Sequence, residues 1–382
     1  MWAAYADAAV ILCCPDKLRG SATAAEAAAA LARGVRAAGV EAREMPLADG
    51  GEGTLDAVIA AGEAEVFEVL TVDALERPLQ VRVAMFEGGR AVVEMAESAG
   101  HVEEAARDVM AAGTVGVGYA IHAALDLGAR HVTVAAGGTG TVDGGIGALR
   151  ALGARLLADD GSELDGTAAG LLRLAEIDAS GLDPRLRGSL RIAADVSAPL
   201  CGRDGAARGF APQKGADPGQ VEELEAALGR LAEILGVDPA TPGLGAAGGF
   251  PAPFVALAGA EVVSGAAWVR ETVGFDAAMA GARLCITAEG RVDRQTALGK
   301  TVAGVVEAAT PAGVPVVVVG GTVEPDGAEA LYDLGAAGVF GLLGQPSSFS
   351  EALTSAETDL ERTSRAITRL FAHFAGEISK TD

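Results

Sequence analysis

The sequence predicts an α/β protein of two domains, in which a Rossmann/flavodoxin-like parallel-sheet domain is interrupted by an inserted second α/β domain with a mixed sheet. Three observations carry this expectation. Short runs of β-branched residues alternate with Ala-rich helical stretches at both ends of the chain, the pattern of parallel strands joined by helices. Between them the texture changes to consecutive strands with turn signals, more α+β than βαβ. A length of 382 residues also exceeds a single core and gives about two to three domains. The texture sets the boundaries at 1–65 plus 283–382 for the discontinuous domain and 66–282 for the insert.

The elements follow in order. Residues 8–13 read as a buried strand, 14–22 as a loop, and Thr23-x-x-Glu26 as the capping box of a helix that closes near Gly39. Residues 41–46 form a second strand, which runs into Asp49-Gly50-Gly51-Glu52-Gly53-Thr54 and a helix ending near Gly62. Residues 66–72, 80–86 and 90–94 read as successive strands, then 114–127 as a helix and 131–136 as a strand. A Gly-rich turn over 137–147 opens a further helix, and a strand over 191–196 carries Asp195 near its end. A polar loop reaches Ala216, an amphipathic helix covers 221–235, and a second glycine cluster covers 243–249. The βα rhythm returns with a strand at 284–287, a helix from Lys300, strands at 314–319 and 339–342, and a long final helix.

Composition narrows the function. Hydrophobic residues make up 50% of the chain and charged residues 21%, enough apolar surface for a large core. A formal charge of −23 argues against nucleic acid and against anionic membranes, which both demand a basic footprint. Cys13, Cys14, Cys201 and Cys285 lack metal-site spacing and read as small apolar residues of a reduced, cytoplasmic chain. No basic leader precedes the first apolar run, and no charge-free stretch approaches the ~18 residues of a membrane span. The four histidines are scattered and form no ligand cluster.

Arginine outnumbers lysine 25 to 4, and Lys17, Lys214 and Lys300 each stand in a short polar segment containing glycine. Retaining a compact ammonium in such places points to charge neutralisation at a phosphate. The glycine clusters fall where strands hand over to helices, where open α/β sheets bind anions. Gly137-Gly138-Thr139-Gly140-Thr141-Val142-Asp143-Gly144-Gly145 fails as a dinucleotide fingerprint, because Asp143 stands at the third glycine position. It fits a phosphate cradle with hydroxyls from Thr139 and Thr141, or a tight structural turn. Gly299-Lys300-Thr301 has the tail of a Walker A motif but Arg294 in place of its leading glycine, which excludes a P-loop. Asp49, Glu52, Asp143, Asp195, Glu289 and Asp293 are acids in loops or at strand ends. Phosphoryl transfer needs such carboxylates to hold Mg²⁺ and to orient or deprotonate the attacking hydroxyl.

Seven segments, taken in order, resemble the bacterial glycerate kinase family. Residues 15–21 are similar to its PDSFKGS and 48–54 reproduce its ADGGEGT. Residues 137–145 resemble GGSATNDGG, 194–202 resemble CDVxNPLxG and 210–216 resemble FGPQKGA. Residues 245–249 match GAAGG, and 287–300 resemble TGEGxxDxQTxxGK. The resemblance implies a two-domain enzyme using ATP and Mg²⁺, with its active site in the interdomain cleft and D-glycerate phosphorylated, 2-phosphoglycerate being the favoured product. It implies Asp195 as general base or metal-proximal acid, with Lys214 and Lys300 neutralising phosphate oxygens. Asp16, Arg19, Asp49, Gly50, Gly51, Glu52, Gly137, Gly138, Thr139, Thr141, Asp143, Gln213, Glu289, Arg291 and Asp293 are the expected substrate and nucleotide contacts. Within that set, Arg19 and Arg291 are candidates for clamping the glycerate carboxylate. In this chain Arg19 stands where the family has lysine and Lys17 where it has serine. Thr139 replaces Ser, Val142 and Ala198 each replace Asn, and Ala211 and Ala288 each replace Gly. The loss of two amides motivates a rival reading, a kinase of another small hydroxy acid; a non-catalytic nucleotide sensor is a more remote one.

Overall fold

The computed structural model describes residues 10–62, 64–100, 107–194, 197–297, 301–342 and 348–378. Its strands are β1 (Val10–Cys13), β2 (Glu41–Glu44), β3 (Ala64–Val72), β4 (Pro78–Phe86), β5 (Arg90–Glu94), β6 (His131–Ala135), β7 (Arg155–Leu157), β8 (Glu176–Asp178), β9 (Leu190–Ala194), β10 (Glu261–Ser264), β11 (Ala282–Val292), β12 (Val316–Val323) and β13 (Gly338–Gly341). The helices used below are α1 (Ala24–Ala37), α2 (Thr54–Ala61), α3 (Val115–Asp126), α4 (Pro218–Leu235), α5 (Gly265–Thr272), α6 (Thr301–Ala312) and α7 (Phe349–Ile378).

The chain divides into two compact units. One comprises Met1–Asp49, Asp56–Gly62 and Ala266–Asp382; the other comprises Gly50–Leu55 and Glu63–Gly265. The last run of the first unit begins at Ala266. Residues 265–281 contain α5 and a second short helix, Phe275–Met279, with no strand to announce the change of domain.

The first unit is built on a five-stranded sheet of order β13-β12-β11-β1-β2, parallel throughout. Renumbered by appearance this is 2-1-3-4-5, the flavodoxin-like doubly wound order, whose switch point lies between β1 and β11. Strand pleating sends Ile11, Cys13, Leu284, Ile286, Val317 and Val319 to one face, where they pack with Ala27 and Leu31 of α1 and Leu360 of α7. The predicted capping box is present at α1: the Glu26 N–H donates to Thr23 Oγ1 at 3.2 Å and the Thr23 N–H to Glu26 Oε2 at 2.8 Å. Strand β11 runs past the predicted 284–287 because the extended chain continues through Gly290, a residue that reads as a breaker.

The second unit carries a six-stranded mixed sheet of order β10-β9-β6-β5-β4-β3. β5, β6, β9 and β10 are parallel, and β3 and β4 join as antiparallel neighbours. Val83, Val93, Val132, Val134 and Ile192 alternate along their strands into one core with Val117 and Ile121 of α3. A second cluster gathers Val142, Ile146, Leu200, Leu224, Leu228 and Leu231, the apolar stripe of α4. The antiparallel pair β7–β8 and the short β10 are absent from the sequence reading, their runs being too short to show periodicity.

Candidate active site

In the second unit the predicted motifs collect at the carboxyl ends of parallel strands. Glu94 ends β5 and pairs with Ala135 of β6, the Ala136 N–H donates to Ala193 O of β9, and the Gly-rich turn starts at Gly137. Residues 50–52 pack onto these ends. Gly50 has φ +89°, and a Cβ there would meet Ala193 O at 2.9 Å; a Cβ on Gly137 would lie 2.6 Å from Gly51 Cα. Both approaches exclude any side chain. Two segments far apart in sequence, ADGGEGT and the Gly-rich turn, therefore touch through their backbones.

Glu94 holds this arrangement. It is 5% exposed and accepts hydrogen bonds from the N–H groups of Gly53 (3.0 Å) and Leu55 (2.8 Å), at the start of α2. Both are charge-assisted bonds in a low-dielectric setting. Sequence reasoning missed Glu94, although it meets the criterion that selected Asp195: an acid at the carboxyl end of a strand.

The Gly-rich turn is not the open cradle expected of its glycines. Asp143 is completely buried and accepts from the Thr114 N–H (2.9 Å), the Thr114 hydroxyl (2.6 Å), the Gly145 N–H (3.2 Å) and the Gly147 N–H (3.2 Å). Burial raises its pKa, and these four bonds oppose the rise. The N–H groups of Gly140 and Gly144 go to Ala99 O and Gly248 O. Asp143 thus takes the anion position of its own turn. In this structure its carboxylate shapes the loop.

Lys214 is the cation this loop presents. It ends a short turn over Pro212–Lys214, is 5% exposed, and donates from Nζ to Thr141 O at 2.7 Å and Thr139 Oγ1 at 3.2 Å. Burial lowers its pKa to about 8, against the opposing charge of Asp143. The Thr141 hydroxyl is buried and has no hydrogen-bond partner among the described residues. A cavity of about 10 Å³ beside Lys214, lined also by Gly100, Arg107, Asp108 and Gly140, has room for one water-sized group. A buried ammonium next to an unsatisfied hydroxyl suits a phosphate oxygen. Gln213, its neighbour, is exposed. Behind the loop, Ala247 adopts φ +50°, rare for a residue with a side chain, so that Gly248 can lie against Thr141 O.

In the first unit the expected residues gather at the carboxyl ends of β1 and β11, the switch point of the sheet. The Asp16 N–H donates to Ala288 O at 2.8 Å. The Asp16 carboxylate accepts from the Lys17 N–H at 2.7 Å and from the Thr301 hydroxyl at 2.7 Å, which ties the first motif to the start of α6. Burial, then the negative charge of Asp49, raises its pKa to about 7. A Cβ on Gly290 would lie 3.3 Å from Arg19 N, so β11 passes close to the first loop. Arg19 itself is exposed, and Glu289 is half-buried near the end of β11.

Two expectations fare differently. Arg291, a candidate carboxylate clamp, is two-thirds exposed and its guanidinium is ion-paired with Glu324. Asp293 shapes a local turn, accepting from the Gln295 N–H at 2.8 Å while its own N–H donates to Thr296 Oγ1 at 3.1 Å. Asp195 and Lys300 lie outside the described residues. Of the replaced amides, Val142 is fully buried in the apolar cluster above α4, and Ala198 is 9% exposed with its carbonyl accepting from the Gly243 and Gly245 N–H groups. The first therefore lies in the core, and the second anchors the glycine cluster through its backbone.

A buried lysine at a glycine turn and a carboxylate at a doubly wound switch point are features of many phosphate enzymes, so comparison with known proteins narrows the choice. Residues 11–372 match the model of the glycerate kinase family. The chain is 38% identical to the glycerate kinase of Bacillus subtilis (strain 168), over 94% of this chain and 96% of that one. It is 36% identical to the glycerate 2-kinase of Escherichia coli (strain K12), over 95% and 98%. A crystal structure assigned to glycerate kinase 2 of Salmonella typhimurium LT2 superposes with a TM-score of 0.82 at 35% identity, covering 97% of this chain and 99% of that one. A match that spans both units and every motif placed above has one meaning: this chain belongs to the glycerate kinase family.

Proposed function

We propose that the protein transfers the γ-phosphoryl group of ATP to the 2-hydroxyl of D-glycerate. The observation that carries the reading is Lys214, a buried ammonium held between Thr139 Oγ1 and Thr141 O on the Gly-rich turn. Its pKa has fallen to about 8, so an arriving phosphate supplies the counter-charge that burial removed. Catalysis of phosphoryl transfer rests on positioning and on neutralising charge over the phosphoryl oxygens. In that scheme Lys214 and the Thr141 hydroxyl bind a phosphate oxygen, and Thr139 and Asp143 hold them in place. Glu94 fixes the loop that carries Glu52, which serves the acceptor. Lys300 and Asp195 belong to the proposal as a second phosphate cation and a metal-proximal acid. Mg²⁺ would offset charge on the phosphates; it keeps most of its waters and needs only one or two carboxylates. Among the described residues no group of three potential ligands converges.

The 2-hydroxyl is favoured by the name of the Escherichia coli relative, a glycerate 2-kinase. The test is direct. Purified protein, Mg²⁺-ATP and D-glycerate are incubated, ADP release is followed by a coupled assay, and the product is read by ³¹P NMR. The reading expects stoichiometric ADP and 2-phosphoglycerate. ATP-dependent thermal stabilisation without turnover on glycerate would refute it.

A further inference from the structure

Asp16 is fixed in a way that a binding role does not explain. Its backbone is pinned to β11 through Ala288 O, and both carboxylate oxygens are engaged, one by the Lys17 N–H and one by the Thr301 hydroxyl. It stands just beyond β1 at the switch point of a doubly wound sheet, where such sheets bind their ligands. A second carboxylate, Asp49, lies close enough to act on it electrostatically. Burial and the Asp49 charge both disfavour an ionised Asp16, which therefore keeps its proton up to about pH 7.

We propose that Asp16 is the proton acceptor for the attacking hydroxyl, with Asp49 and Thr301 setting the pH at which its carboxylate becomes free. The inference rests on the kinase reading. As the glycerate oxygen bonds to the γ-phosphorus, the bond from that phosphorus to the β–γ bridging oxygen breaks. The nucleoside diphosphate leaves with the electron pair, and the hydroxyl proton passes to Asp16, which later releases it to solvent. The groups acting on Asp16 are Lys17 on its own loop, Asp49 beyond β2 and Thr301 on α6, and its backbone partner on β11 is Ala288. Lys300 precedes Thr301 and lies outside the described residues.

Geometry and charge give Asp16 two handles that act in opposite directions. The Asp49 charge raises its pKa and the Thr301 hydrogen bond lowers it, around a value of about 7. The experiment measures kcat/KM for glycerate against pH at saturating Mg²⁺-ATP, in the full-length wild type and in Asp49→Asn, Thr301→Val and Asp16→Asn. In parallel, Asp16 is titrated by ¹³C NMR of carboxyl-labelled, ligand-free protein. The wild type is expected to lose activity below about pH 7. Asp49→Asn moves this limb and the NMR midpoint to lower pH, and Thr301→Val moves both to higher pH. Asp16→Asn abolishes the limb and lowers kcat by roughly 10²-fold or more, while ATP affinity by calorimetry stays within about threefold.

A purely structural role for Asp16 would not produce opposite displacements. The proposal is overturned if neither variant moves the NMR midpoint, or if Asp16→Asn keeps its kcat while Asp195→Asn loses it. Absence of glycerate phosphorylation in the wild type would instead count against the kinase reading, and the NMR titration would still decide whether Asp16 and Asp49 are coupled.

Discussion

The grip of Glu94 on the 50–55 segment can be put to a quantitative test. In Glu94→Ala the N–H groups of Gly53 and Leu55 lose their acceptor, at 3.0 and 2.8 Å, in a place where the carboxylate was 5% exposed. A hydrogen bond to a charged group contributes about 1.5–3 kcal/mol net. The Gly53 bond is only partly buried, so the lower figure applies to each, and the pair gives about 3 kcal/mol. If the segment opens locally, this loss accelerates amide exchange at Gly53 and Leu55 by roughly 150-fold, at about 1.4 kcal/mol per decade. Hydrogen exchange by mass spectrometry on a peptide covering 50–56 reads this directly, with a peptide in β12 as internal control. Exchange within about threefold of wild type at 50–56 would show that the backbone contacts of Gly50 and Gly51 hold the loop without Glu94. Equal acceleration in β12 would show that the substitution unfolds the whole chain instead.

Three further outcomes are expected. Lys214→Met removes an ammonium whose pKa falls from 10.5 to about 8 on folding; it relieves up to about 3 kcal/mol of burial penalty at neutral pH, which the two lost hydrogen bonds, at about 1.5 kcal/mol each, offset, so the net change there is small. The sign follows from proton binding: between pH 8 and 10.5 the unfolded lysine is charged and the folded one neutral, so wild-type stability rises with pH across that window and the variant's does not. Urea midpoints at pH 7 and pH 10 check this, and kinase activity is expected to fall at least about 10²-fold. Ala247→Gly releases a left-handed backbone strain at φ +50° and raises the melting temperature by the equivalent of about 0.5–1 kcal/mol, read by calorimetry. ATP binding near pH 8 takes up protons as Lys214 recharges, seen as a dependence of the calorimetric enthalpy on the ionisation enthalpy of the buffer.

The sequence announced the elements wherever periodicity or capping chemistry was strong. α1 was legible because Thr23 and Glu26 form the capping box they spell, and the strands β3 to β5 because alternation persists over several residues. The switch point was not legible, because nothing local in β1 says that its partner is β11, with Cys14 and Cys285 separated by 271 positions. The same limit governed the site. Lys214 could be selected by composition, but the four donors that meet the Asp143 carboxylate could not be read from its segment. Glu94 was passed over because its partners, Gly53 and Leu55, are about forty residues away in a segment that reads as a motif in its own right. Charge at a strand end is visible in sequence; what neutralises it is a property of the fold.

The pairing of β1 with β11 also dictates an order of events during synthesis. When residue 265 leaves the ribosome, both pieces of the second unit, Gly50–Leu55 and Glu63–Gly265, have been made, and all six strands of its sheet can close. At that moment the first unit has only β1 and β2, a two-stranded ribbon with its β11 edge bare. Its sheet must wait another 76 residues, from 265 to Gly341, before it has gained β11, β12 and β13. The N-terminal ribbon is therefore the longest-lived unpaired surface of the nascent chain, where a chaperone or a slow translation step after 265 would alter the yield most.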